Sequence, residues 1–136
     1  MEIVGRGIGE SCPTYFIADV AANHDGVLGR ALELMTLAKE AGADAAKYQH
    51  FRADHIVSDK GFRELGGQQS HQASWSRSVY EVYKDASLPW EWTKPLADHA
   101  EAIGIDFFTV LTTLRPSTSW MSMFLHTRLA REISRG

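Results

Sequence analysis

The sequence predicts an α/β fold built on a parallel sheet, followed by an irregular C-terminal segment. Short apolar runs bounded by turn residues alternate with longer segments whose apolar residues recur at helical spacing, and this alternation is typical of parallel sheets. The third apolar run, at residues 105–110, is followed by residues 111–120, which follow neither period. We therefore expect three strands with their helices, and then a change of structure.

Local patterns place the first two strands and the helix between them. Residues 15–20 (YFIADV) are an apolar run bounded by turn signals, and residues 23–26 (NHDG) predict a tight polar turn. Apolar residues at helical spacing predict a helix over residues 28–42, which closes with a lysine and a glycine. Residues 44–49 (DAAKYQ) are small and apolar before they become polar, and they predict the second strand.

The segment between the second and third strands predicts a long loop and two helices. Residues 50–78 are rich in His, Ser, Gln and Gly with little periodicity, so we expect a functional loop over the site. A short helix is predicted over residues 79–84. Ser87 is predicted to cap a further helix, which runs to Gly104.

Composition excludes several classes of function. The 136 residues fit one domain, and the net charge of -3 lacks the basic excess of a nucleic-acid-binding protein. The chain has neither the roughly 20 apolar residues of a membrane-spanning helix nor an apolar signal region, so we expect a cytoplasmic protein that does not bind membranes. Cys12 is the single cysteine, which excludes an internal disulfide and a thiolate zinc site.

Polar residues gather where the predicted strands end, and parallel strands end at one edge of a sheet. Lys47 lies within an apolar strand, where a cation is unfavourable unless it meets an anion or serves as a Schiff-base amine. Asp19 could orient a sugar hydroxyl, take part in proton transfer or cap the next turn. We expect Asp19, Lys47, Gln49, Thr109 and residues 23–26 to converge on this edge.

Three motifs carry a family resemblance. FIADVAANHDG (residues 16–26) resembles the first-strand signature of the sialic acid synthase family, approximately FIAEIGxNHNG. AGADAAKYQHFRAD (residues 41–54) resembles the second-strand signature, AGADAVKFQTFKAE, and SVYEVYKDASLPWEW (residues 78–92) also matches. The motifs occur in the family's order, and the resemblance covers residues 9–110.

The resemblance implies that residues 1–110 are the N-terminal portion of a TIM (β/α) barrel, a partial barrel of three strands and their helices. Members of the family condense phosphoenolpyruvate with an N-acetylated amino sugar such as N-acetylmannosamine, use a divalent metal (Mn²⁺ or Mg²⁺) and form homodimers. The family's metal-binding histidines belong to later strands, so no metal ligand is implied here. His24, His50 and His55 are weak candidates by spacing as well.

The resemblance also implies roles for individual residues. Lys47 matches the lysine that binds phosphoenolpyruvate, where a fixed cation holds phosphate and carboxylate charge. Asp19 stands where the family has Glu, and it is expected to act in catalysis with a carboxylate one methylene shorter. The expected substrate-binding residues match the family's motifs or flank the lysine: Lys47, Gln49, Asn23, His24 and Thr109.

Residues 111–136 lack the family's continuation and carry four arginines but a single acid, Glu132. In codons offset by two nucleotides, the Trp120–Met121 junction forces Asp and the Met123–Phe124 junction forces Val, and residues 126–136 permit the family-like YKIGSGDITW. We expect an out-of-frame tail, caused by a single-base deletion or a sequencing error near residue 110. The chain alone is then expected to be an inactive fragment, and the nucleotide sequence of the gene tests this.

Two other functions stay open. A different barrel-type lyase or aldolase would use Lys47 as a Schiff-base amine, which borohydride would trap with a carbonyl substrate. A noncatalytic interaction protein would use the Trp- and Met-rich tail, and it would lose its partner on deletion of residues 111–136. The identity of the amino sugar would depend on residues 50–78 and on parts that this chain does not contain.

Overall fold

The structure, a computed structural model, describes residues 2–3, 5–64, 76–114 and 120–126. The strands are β1 (Glu2–Ile3), β2 (Arg6–Gly7), β3 (Ile17–Ala21), β4 (Ala45–Phe51), β5 (Asp106–Leu114) and β6 (Trp120–His126). The helices are α1 (Leu28–Glu40), α2 (Ala53–Ile56), α3 (Asp59–Glu64), α4 (Val79–Ala86) and α5 (Thr93–Ile103), with a 3₁₀ turn at Trp90–Trp92 before α5.

Four strands form the main sheet, in the order β3-β4-β5-β6, and β1 pairs with β2 in a separate hairpin. Strands β3, β4 and β5 are parallel, with α1 between the first two and α2 to α5 between the second and third. The predicted α/β fold with a parallel sheet is therefore confirmed. Gly104, at φ 67°, ends α5 in the left-handed conformation that glycine adopts without strain, and so turns the chain into β5.

The C-terminal segment differs from the irregular structure that the sequence predicts. Strand β5 continues to Leu114, and β6 returns antiparallel to it with Phe108 opposite His126. Residues 106–114 and 120–126 lack the alternation of apolar and polar residues that is typical of strands. They are nevertheless rich in aromatic, β-branched and other apolar residues, and these favour strands. Residues 115–119 and 127–136 lie outside the described residues, and the reading frame stays a prediction.

The predicted loop at residues 50–78 is shorter in the structure. Strand β4 extends to Phe51, and α2 and α3 follow it, while residues 65–75 lie outside the described part. The prediction that Ser87 is the N-cap of the next helix is wrong, because Ser87 is the C-cap of α4 and its hydroxyl donates to the Tyr83 carbonyl at 3.0 Å. Ser78 instead begins α4 in a capping box with Glu81, each side chain bonding the other residue's N–H.

One face of the sheet packs against α1 and α5 to form the core. Its members include buried residues of the strands and the facing helices: Val20, Ala31, Met35, Ala46, Tyr48, Leu96, Ala97, Ala100 and Phe107. On the opposite face Ile17 and Asp19 of β3 are exposed. The helix layer therefore covers one face of the sheet and leaves the other face of β3 open.

Tyr48 is a buried polar anchor of this core. It is fully buried, and its hydroxyl donates to the Ala31 carbonyl of α1 at 2.7 Å. We expect Tyr48→Phe to lower the free energy of unfolding by about 1 kcal/mol, since a buried hydrogen bond is lost while the ring still packs. Urea unfolding of both proteins measures the difference, and an unchanged midpoint would mean that the hydroxyl is not bonded to α1.

None of the helices in the described ranges is long and apolar enough to cross a membrane.

Candidate functional site

Asp19 and Lys47 form an ion pair across the first two parallel strands. They lie opposite each other in the register of β3 and β4, and Lys47 Nζ is 3.0 Å from Asp19 Oδ1 and 3.2 Å from Oδ2. The side chain of Lys47 is 23% exposed and that of Asp19 is 62% exposed. Because Asp19 is mostly in water, the pair contributes little stability. It does explain how a lysine is accommodated within this strand.

Gln49 joins this pair on the open face of the sheet. It lies two residues after Lys47 on β4, and side chains two apart in a strand point to the same face. It is partly exposed. The open face of β3 and β4 thus presents an ammonium group, a carboxylate and a carboxamide, a set able to bind an anion that also carries hydroxyl or carbonyl oxygens.

A β-bulge follows Asp19 in the first strand. Asp19 pairs with Lys47 and Ala21 pairs with Tyr48, so the register shifts at Val20. Ala21 has a φ of 49°, a left-handed conformation that costs a non-glycine residue about 1–2 kcal/mol. Bulges re-aim the side chains beside them and are frequent next to functional sites. This one lies directly after the carboxylate of the candidate site.

Thr109 does not join the other predicted site residues. It lies opposite Tyr48 in the register of β4 and β5, it is fully buried, and its hydroxyl is 2.5 Å from Nδ1 of His50. Thr109 therefore faces the helix layer, and the neighbours of Lys47 and Gln49 on β5 are Phe108 and Val110. The expectation that Thr109 lines the same site as Lys47 is not met, because strand alternation directs its side chain to the other face.

His50 forms a buried network with two threonines. Its Nδ1 bonds to Thr109 Oγ1, its Nε2 is 2.9 Å from Thr93 Oγ1, and its ring packs on Trp90 with centroids 4.9 Å apart. Burial, with a smaller contribution from His24, lowers the pKa of His50 to about 4. The imidazole is therefore neutral at pH 7. From the sequence, His50 is only a polar residue near the predicted site. Its burial follows from strand alternation, because Ala46, Tyr48 and His50 share the face of β4 that packs on the helices.

The predicted turn at residues 23–26 forms, and it uses its own polar groups. Asn23 Nδ2 donates to the Val20 carbonyl at 3.0 Å, and the Gly26 N–H donates to His24 Nδ1 at 3.1 Å. His24 is fully buried with its ring nearly perpendicular to that of Trp92. Burial lowers the pKa of His24, against smaller opposing effects of Asp25 and the Ala86 backbone. His24 thus stabilises the turn from inside, while Asn23 stays exposed.

Metal ligands are not assembled in the part of the chain that the structure describes. No group of three or more His, Cys, Asp or Glu side chains there could hold a metal ion. Both ring nitrogens of His50 are bonded to threonines, which leaves neither for a metal. The described residues therefore do not fit the divalent metal that the family resemblance implies.

The NeuB family model matches residues 34–116, which is more than half of the chain. The chain belongs to the NeuB family. The resemblance carried by the strand motifs is thereby confirmed. Among curated relatives, the spore coat polysaccharide biosynthesis protein SpsE of Bacillus subtilis is 31% identical over 110 residues, which cover 81% of this chain and 28% of that protein. The N,N'-diacetyllegionaminic acid synthase of Legionella pneumophila is 38% identical over 101 residues (74% and 28%).

Relatives extend to animals and to solved structures. The human N-acetylneuraminate-9-phosphate synthase is 31% identical over 105 residues (77% and 28%). The crystal structure of Bacillus subtilis SpsE matches with a TM-score of 0.54 at 30% identity, over 80% of this chain and 26% of that one. An N-acetylneuraminic acid synthetase from Leptospira borgpetersenii, in complex with citrate, shares the fold with a TM-score of 0.62 at 22% identity (84% and 34%). The NeuB family chain spans little more than a quarter of the curated relatives.

Proposed function

We propose that this chain carries the phosphoenolpyruvate-binding part of a nonulosonic acid synthase, which condenses phosphoenolpyruvate with an N-acetylated amino sugar. The observation that supports it most is the Asp19–Lys47 ion pair across two parallel strands of a NeuB family chain. Several relatives are named as synthases of such acids, including N,N'-diacetyllegionaminic and pseudaminic acid. The proposal therefore rests on two things: the Lys47 ammonium group, which could bind an anionic substrate, and membership of the NeuB family.

Lys47 would act as the fixed cation for the phosphate or carboxylate of phosphoenolpyruvate. Its ammonium group has three N–H donors, and Asp19 is its one anionic neighbour among the ion pairs of the described residues, so donors are left for a ligand. Its partial burial strengthens the attraction to an anion relative to a fully solvated lysine. Phosphate leaves during the condensation, and a cation beside it would stabilise the charge that develops there.

Asp19 and Gln49 would bind the neutral parts of the reactants. The exposed carboxylate of Asp19 accepts hydrogen bonds, which suits a sugar hydroxyl or a proton in transfer. The carboxamide of Gln49 can donate and accept on the same face. The remaining contacts of the whole synthase, its divalent metal and its homodimer interface would come from parts beyond the matched quarter, so we expect residues 1–136 alone to bind ligand without turnover.

The Schiff-base alternative is tested by the same lysine. Lys47 is paired with a carboxylate, which is the arrangement of a lysine used as a fixed cation. Borohydride reduction of the chain with pyruvate should therefore leave its mass unchanged, whereas a covalent adduct on Lys47 would favour the aldolase reading.

The origin of residues 111–136 depends on the reading frame of the gene. We propose that residues 111–136 are read out of frame. Two observations support this: the family match ends at residue 116, six residues into this segment, and β6 is antiparallel to an otherwise parallel set. Sequencing the gene around codon 110 decides between this origin and a genuine strand. The family sequence would continue in the offset frame if the proposal holds.

Ligand binding by the existing chain tests the proposed function directly. We expect phosphoenolpyruvate and inorganic phosphate to shift the amide resonances around Lys47 and Gln49, and Lys47→Met to weaken that binding by about tenfold or more. Lys94→Met is the matched control, because Lys94 also pairs with an aspartate, Asp98, but on the surface of α5. Equal binding by both variants, or no binding by the wild type, would contradict the proposal.

A further inference from the structure

Strand β4 is anchored to the helix layer at every second residue near its carboxyl end. Tyr48 donates to the Ala31 carbonyl of α1, and two residues later His50 bonds to Thr109 and Thr93. Gln49 lies between these two anchors. Because side chains alternate along a strand, fixing Tyr48 and His50 on one face fixes Gln49 on the other.

His50 connects three elements at this end of the sheet. It belongs to β4, Thr109 to β5, and Thr93 is the first residue of α5. The ring is 1% exposed, and a neutral imidazole has one N–H donor and one acceptor nitrogen, so one threonine donates to it and the other accepts. With both nitrogens bonded and Trp90 packed on the ring, its orientation is fully determined.

We propose that His50 is a positioning residue for the anion site on the opposite face of β4. Through its bonds to Thr93 and Thr109 it fixes the part of the strand that carries Gln49, next to Lys47 on the same face. The identity of the bound anion rests on the proposed function, whereas the hydrogen-bond network of His50 does not depend on it. The family signature AGADAVKFQTFKAE has a threonine where this chain has His50, so the network distinguishes this chain from that pattern.

Removal of one threonine hydroxyl tests the proposal against a matched control. Thr93→Val removes the bond to His50 Nε2 and keeps the shape of the side chain. Thr36→Val removes a bond of the same kind, since Thr36 Oγ1 is 2.8 Å from His99 Nε2, but that bond joins α1 to α5 within the helix layer. Thr36 also donates to the Leu32 carbonyl, so the control loses at least as many bonds.

We expect the dissociation constant for inorganic phosphate or phosphoenolpyruvate to rise about fivefold to tenfold in Thr93→Val and to change less than about twofold in Thr36→Val. Thr93→Ser, which restores a hydroxyl, should restore binding. If Thr93→Val binds like the wild type, or if Thr36→Val weakens binding as much, His50 has only a structural role and the proposal is overturned.

A readout without ligand keeps this test apart from that of the proposed function. The imidazole ¹⁵N spectrum of the wild type at pH 7 should show His50 neutral and in a single tautomer, and the Gln49 carboxamide resonance should move in Thr93→Val but not in Thr36→Val. If the wild type binds neither probe but shows these shifts, the proposed function is overturned, while the positioning of Gln49 by His50 is supported. Averaged tautomers, or a Gln49 resonance indifferent to Thr93→Val, overturn the positioning.

Discussion

Replacing Phe107 with alanine is expected to lower the free energy of unfolding by about 3–5 kcal/mol. Phe107 is fully buried between the sheet and its helices, and its ring contacts that of Tyr48 with centroids 5.7 Å apart. Truncation would remove the ring's burial and leave a cavity beside α5 that rigid neighbours cannot fill. The size of the effect shows whether the side chains of β5 are packed within the core.

Phe16→Ala is the control for this prediction. Phe16 is 61% exposed just before β3, so the same truncation should change stability by no more than about 0.5 kcal/mol. Guanidinium unfolding of both variants at one pH gives the comparison. Similar losses of unfolding free energy in the two variants would show that Phe107 is not packed in the core. The assignment of one sheet face to the core and the other to the site would then be wrong.

The alternation of strands and helices was predictable because each element has a clear period. The run at residues 44–49 and the helical stripe at residues 28–42 each have one reading, and both elements lie where the sequence puts them to within a few residues. The strand faces were harder. In β5 both Phe107 and Phe108 are apolar, so the sequence alone cannot say which faces the helices, and the face of Thr109 depends on that choice.

The two serines show a different kind of limit. Ser78 is followed three residues later by Glu81, the pattern of a capping box, whereas Ser87 has Trp90 at that position. The sequence therefore carries the signal for the cap at Ser78, while Pro89 after Ser87 is a competing signal for a helix start. The sequence does not reveal the role of His50 for a related reason: a histidine beside polar residues resembles a site residue, and its two buried hydroxyl partners are distant in the sequence.

Acidification is expected to destabilise the chain through His50. Its pKa is 6.5 when solvated and about 4 in the folded chain, so as the pH falls through 6.5 the unfolded chain takes up the proton first. The stability that the neutral ring provides is complete above about pH 6.5, declines between pH 6.5 and 4, and is lost below that. The difference in pKa corresponds to about 3 kcal/mol at pH 4.

His50→Gln isolates this contribution from the other groups that titrate. Burial lowers the pKa of His24 in the same direction, and Phe16 and Arg6 hold the pKa of Asp44 below its usual range, but both groups remain in the variant. Urea unfolding at pH 7, 5.5 and 4 should therefore show a smaller loss in His50→Gln than in the wild type, by about 3 kcal/mol. Parallel curves would mean that water reaches the ring, and a solvated His50 could not hold the end of β4 in the way that the site requires.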